Sequence, residues 1–193
     1  MLGTSSYAAG ALLRDVDQDL ASELESIQYS STATVNVALR RADVAHPLDG
    51  FGFVTPAVER RAILACSFSS IKFAERAPAG HVLLRAFIGG ALQPEMFARD
   101  DADITNAVIK DLRDLLGLRH QPLFTHLERW PRSMAQYHVG HLAKIAGIRE
   151  RMSCLPGLAL AGNAYAGAGI PDCIRSGQQA IEKLRTQEFR EAL

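Results

Sequence analysis

The 193 residues carry 21 Lys and Arg against 21 Asp and Glu, a formal net charge of zero. That balance excludes a nucleic-acid binder acting through a broad basic surface, and 48% hydrophobic with 22% charged residues excludes a disordered chain. No apolar run reaches the ~18–20 residues that span a bilayer, and Met1–Ser6 shows no basic stretch leading into an apolar one, so no secretory leader is expected. Cys66, Cys154 and Cys173 are odd in number and far apart, which reads as reduced thiols and not as a disulfide frame or zinc site. The expectation is a cytoplasmic chain of mixed α/β structure.

Residues 1–29 read as helical, with Leu12, Leu13, Val16, Leu20, Leu24 and Ile27 on one apolar face. From Ser30 to Arg41 the period changes to two: Val35, Val37 and Leu39 alternate with Thr34, Asn36 and Arg40, the pattern of a half-buried strand. A turn-rich stretch (Pro47, Asp49, Gly50, Gly52) separates it from three further strand candidates, 51–54, 62–69 and 81–88. In the last, Val82, Leu84, Ala86 and Ile88 share one face and Leu83, Arg85 and Phe87 the other, and Arg76–Gly80 suits an antiparallel connection. A helix follows, capped by Asp100 or Asp101, striped by Ile104, Val108, Leu112, Leu115 and Leu116, and ended by Gly117. Residues 123–130 read as a strand, 142–152 as a short helix, 158–161 as a buried strand, and Ile174, Ile181 and Leu184 mark a closing helix that begins near Ile170.

The stretch from Gly162 to Ile174 carries the chemistry. A strand runs through small residues straight into a helix, and Pro171 suits the first helical turn because the N–H it lacks would be unsatisfied there anyway. Small side chains at Gly167, Ala168 and Gly169 would let a flat or anionic ligand approach backbone N–H groups at the positive end of the helix dipole. A reduced flavin, whose pyrimidine ring gathers negative charge, is one such ligand. A tight turn with close packing explains the same glycines equally well, and the residues alone leave both readings open.

From His46 onward the chain resembles the C-terminal part of the protoporphyrinogen oxidase family, within the flavin-containing amine oxidase superfamily. The resemblance rests on His46-Pro47-Leu48-Asp49-Gly50-Phe51-Gly52-Phe53, Ser69-Ser70 with Phe73 and Arg76-Ala77-Pro78, Ile88-Gly89-Gly90, Asp111-Leu112, Arg129-Trp130-Pro131, Gln136-Tyr137 with Val139-Gly140-His141, and Pro156-Gly157-Leu158 through Gly162-Asn163 to Gly177, in family order. It implies FAD as cofactor, with Ala168, Gly169 and Ile170 against the isoalloxazine ring, Gly162 and Asn163 nearer the ribityl or pyrophosphate, and Trp130 flanking the flavin. Leu64 and Leu83 would wall a porphyrinogen pocket. The implied activity belongs to haem biosynthesis: pairwise removal of hydrogen from protoporphyrinogen IX to give protoporphyrin IX, with dioxygen as oxidant and hydrogen peroxide as product.

Ala74 and Ala135 stand where the family has Pro, changes that loosen turns without touching chemistry. The larger departure is that no G-x-G-x-x-G grip for the ADP half of FAD occurs in these residues. The resemblance therefore implies an incomplete two-domain α/β (α+β) flavoprotein: an antiparallel substrate-domain sheet with helices, plus a C-terminal strand-turn-helix of an FAD-binding domain. Residues 1–29 would be a helical connector, 30–153 the substrate-binding portion and 154–193 the FAD-binding segment. Its expected partner is an N-terminal FAD-binding half, without which the chain would be inactive and colourless. The parent enzyme would lie in the cytoplasm or peripherally on the inner face of the cell membrane. Alternatives are a non-catalytic porphyrin-binding remnant, a coproporphyrinogen III oxidase, or another flavin amine oxidase.

The remaining candidates read more simply. His138 and His141 lie three apart but have no accompanying ligand set for a metal. Arg40, Arg85 and Arg132 could meet substrate propionates, or lie on a solvated surface. Cys173, near a helix N-terminus, reads as a packing residue. No catalytic base is assigned.

Overall fold

The structure, a computed structural model, describes residues 1–191, with side chains through 186. The chain forms two compact units: residues 1–29 with 133–193, and residues 30–132.

The first unit is helical. Helices α1 (Ser6–Leu13) and α2 (Gln18–Glu25) form a hairpin, and the Asp17 carboxylate caps α2 by accepting from the Leu20 N–H at 2.9 Å. Gly10 permits the close approach, because a Cβ there would lie 2.8 Å from the Ala21 carbonyl oxygen. The turn at 14–17 corrects the expected single apolar face: Leu12 and Val16 point to solvent, while Ala9, Leu13, Leu20, Leu24 and Ile27 are buried. Onto this cluster packs α6 (His141–Ser153), contributing Ile145, Ile148 and Met152. Arg151 of α6 faces Asp17, Asp19 and Glu23 at 3.6, 3.0 and 3.5 Å. The expected strand at 158–161 is corrected to a single parallel bridge, Leu2 with Leu160, held by Leu2 N–H to Ala159 C=O (2.8 Å) and Ala161 N–H to Leu2 C=O (3.0 Å). A strand needs a neighbouring run to pair with, and among the described residues only Leu2 lies alongside. Helix α7 (Ile170–Glu191) closes the unit.

The second unit is built on a five-stranded antiparallel sheet in the order β2-β3-β4-β1-β5. Its strands are β1 (Tyr29–Arg40), β2 (Gly52–Val54), β3 (Ala65–Ser67), β4 (His81–Gly89) and β5 (Phe124–Ala135), with short helical turns α3 (Ser69–Lys72) and α4 (Pro94–Phe97) between them. One sheet face is packed by Val35, Val37, Leu39, Val82, Leu84, Ala86 and Ile88 against α5 (Asp101–Leu116), which supplies Ile104, Val108, Leu112 and Leu116. Each Val, Leu or Ile among them contributes about 1.5–3 kcal/mol on leaving water. Helix α5 starts at Asp100, whose carboxylate accepts from the Asp103 N–H at 2.8 Å, and stops at Gly117, left-handed at φ 66°.

Two strand expectations change length. The expected strand at 62–69 shrinks to three residues: the N–H groups of Ala62 and Ile63 donate to the Asp111 carboxylate on α5 (2.7 and 3.1 Å) and so leave the ladder, and Ser69 begins α3. β5 runs five residues past Trp130, to Ala135. No described helix is long and apolar enough to cross a membrane.

Candidate functional site: an open glycine turn

The turn preceding α7 takes its shape from within the first unit. The Gly162 N–H donates to the buried Ser176 hydroxyl at 3.1 Å, tying the end of the 158–161 segment to the helix. Tyr137 spans the turn: its hydroxyl accepts from the Gly167 N–H at 3.0 Å and donates to the Asn163 carbonyl. Its ring stacks on His141 with centroids 4.1 Å apart and planes 11° from parallel. The Asn163 amide donates to the Ser133 carbonyl at 3.3 Å. Gly167 sits at φ 130°, where a Cβ would lie 2.7 Å from the Asp172 carboxylate. This glycine is thus required by the chain's own packing.

Past Gly167 the turn opens. Ala168, Gly169 and Ile170 are exposed, and their N–H groups have no hydrogen-bond partner among the described residues. Among the described residues, no bulky side chain fills the bend. The residues fit the edge of an electron-rich ring: three N–H groups at the positive end of a long helix, with small side chains on the approach. One feature opposes a full anion, since the Asp172 carboxylate lies over the same turn, with Arg175 beside it at 3.1 Å. The site is therefore suited to partial negative charge spread over a ring and poorly suited to a phosphate.

Of the residues expected from sequence, Gly162, Asn163, Ala168, Gly169 and Ile170 gather at this turn. Trp130, Leu64 and Leu83 belong to the sheet unit. Trp130 is half exposed on β5. Leu83 lies on the outward face of β4, whereas Leu64 lines a separate cleft of about 480 Å³ with Thr55, Ile63, Leu92 and Met96. Another cavity, of about 290 Å³, lies between α6 and α7 and is lined by Ile148, Met152, Leu160, Tyr165 and Ser176. Burial holds the Tyr165 phenol protonated well above its ordinary range.

His138, Cys66 and Cys173 take structural places. His138 bonds Gln28 at 3.0 Å, and no group of three or more metal-ligating side chains occurs among the described residues. Burial pushes the Cys66 thiol up to about 12, so it is inert at neutral pH. Cys173 Sγ lies 4.0 Å from the Gly167 carbonyl. Sequence reasoning missed Tyr137, Ser176 and Asp172 as the residues that shape the turn. Asp172 alone left a local signal, being an acid in the first turn of a helix.

Residues 4–183 match the sequence model of the flavin containing amine oxidoreductase family. The coproporphyrinogen III oxidase of Bacillus subtilis (strain 168) is 36% identical over 169 residues, covering 87% of this chain and 36% of the relative. The chloroplastic protoporphyrinogen oxidase of Nicotiana tabacum is 29% identical over 189 residues, covering 93% and 34% respectively. A crystal structure from Exiguobacterium sp. 255-15, provisionally named protoporphyrinogen oxidase, matches with a TM-score of 0.80 at 31% identity over 94% of this chain and 39% of that one. The chain spans about a third of the length of the curated relatives it matches. With a match running through nearly all of its residues, the chain belongs to the flavin-containing amine oxidoreductase family.

Proposed function

We propose that these residues are part of an FAD-dependent porphyrinogen oxidase, with 154–193 contributing to the flavin site, 1–29 connecting to it, and 30–153 walling the substrate. Two things support the reading: similarity to porphyrinogen oxidases along most of the chain, and the open turn whose free N–H groups suit a flavin edge. Bound there, FAD supplies an acceptor for hydride that dioxygen restores, with hydrogen peroxide released.

The chain's own residues do the positioning. The N–H groups of Ala168, Gly169 and Ile170 present donors where charge develops, already aimed before reaction. Tyr137 fixes the turn by holding both Gly167 and Asn163. On the sheet, Leu83 and Phe87 offer an apolar wall that excludes water from a macrocycle losing hydrogen in pairs. The substrate is protoporphyrinogen IX or coproporphyrinogen III; the higher identity to coproporphyrinogen III oxidases (36% against 29%) favours the second.

The test is reconstitution. With FAD alone the purified chain should stay colourless, because no G-x-G-x-x-G grip for the pyrophosphate is present in it. Tight stoichiometric flavin under those conditions contradicts the partial-site reading. Co-produced with the part of the Bacillus subtilis relative that this chain does not match, it should give yellow protein that releases peroxide and forms fluorescent porphyrin. Flavin-loaded but inert complex would favour the non-catalytic remnant.

A further inference from the structure

The alternation of β4 places Leu83, Arg85 and Phe87 on the sheet face opposite the packed core. At Arg85 the neighbouring strands contribute Asn36 from β1 and Ser67 from β3. The Arg85 Nε–H donates to Asn36 Oδ1 at 2.9 Å. That bond uses the Nε–H and leaves the two terminal nitrogens, whose outward N–H groups form the end-on fork that binds a carboxylate. Asparagine is disfavoured in strands, and its neighbours on β1 are Val35 and Val37, so its place here is explained by the arginine it holds.

Arg85 has no ion-pair partner among the described residues. The packing of Leu127 into the core puts Glu128 and His126 of β5 on the outward face, 3.6 Å from each other, and neither bonds Arg85. A held, uncompensated guanidinium thus stands between two apolar side chains. Leu83 and Phe87 lie about 13 Å apart along the strand at about 3.3 Å per residue, wide enough to lie under a tetrapyrrole. A freely solvated arginine needs no partner to orient it, and this one has a partner.

We propose that Arg85, oriented by Asn36, binds a propionate carboxylate of the porphyrinogen and makes the site read the number and placement of propionates. This rests on the porphyrinogen reading above and deepens it. Asn36 is a positioning residue; Arg85 is the one that touches the ligand.

The experiment titrates the full chain with coproporphyrin III and, separately, with its tetramethyl ester, followed by porphyrin fluorescence at two salt concentrations. Wild type should bind the acid more weakly as salt rises and the ester independently of salt. Arg85→Met, which keeps the apolar stem, should weaken the acid about tenfold, the worth of one charge-assisted hydrogen bond, and leave the ester unchanged. Arg85→Lys should fall between, having charge without the fork, and Asn36→Ala should reproduce part of the loss. If Arg85→Met binds the acid as wild type does, or loses acid and ester alike, the inference is overturned while the porphyrinogen reading stands. If wild type binds neither ligand, the inference is overturned, while the porphyrinogen reading is decided separately by the reconstitution above. Arg85 is exposed, so thermal melts of the variants should coincide with wild type.

Discussion

Asp111 is the residue on which the end of the sheet turns. It is buried on α5, and its two oxygens serve Arg61 at 3.3 Å and the N–H groups of Ala62 and Ile63 at 2.7 and 3.1 Å. Ile63 is fully buried, so its N–H has no water to fall back on. Asp111→Ala should therefore cost about 2–4 kcal/mol, the penalty for orphaned buried donors, and lower the Tm by several degrees. Asp111→Asn, which keeps one acceptor oxygen, should cost less. A melt of Asp111→Ala that overlays wild type would remove Asp111 from this role. The same carboxylate explains a limit of the sequence reading. Residues 62–69 have strand composition, yet the group that draws 62 and 63 off the ladder lies 48 to 49 residues along the chain, beyond any local pattern.

At the scale of the element, what was legible is what is encoded locally. Helix α5 was readable from end to end because its cap, its apolar stripe and its stop glycine all lie within the helix and its flanks. β1 and β4 were readable because burial on one face imposes a period of two. The 158–161 segment was not, since strand character depends on a neighbour that the segment does not contain. The turn before α7 is mixed. Its glycines were visible in the sequence, but Tyr137, thirty residues upstream of Gly167, decides its shape. Tyr137→Phe removes the hydroxyl that holds Gly167 and Asn163, both near enough to solvent to be rescued by water. Stability should change by no more than about 1 kcal/mol. Hydrogen exchange at the Gly167 N–H should nevertheless accelerate clearly, because its acceptor is gone. Unchanged exchange there would mean that something other than Tyr137 sets the turn.

The two units of the whole molecule draw their cores from the chain in different ways. The sheet core consists of residues between Ala33 and Leu118, all inside one continuous segment. The helical core joins Leu13, Leu20, Leu24 and Ile27 from one end of the chain to Ile145, Ile148 and Met152 from the other. A hairpin of two eight-residue helices is too short to hold itself together in water without that second contribution. Residues 30–132 produced alone should therefore melt cooperatively, whereas residues 1–29 alone should show little helix. Trp130 is the only tryptophan and lies in the sheet unit, so its emission reports that unit selectively. In the full chain, emission should follow the melt seen for 30–132, and the helical circular dichroism, dominated by α1, α2, α6 and α7, should follow the other unit. A 30–132 fragment that binds hydrophobic dye and melts without a transition would show that the sheet core depends on residues outside it, and the division into two self-contained cores would not hold.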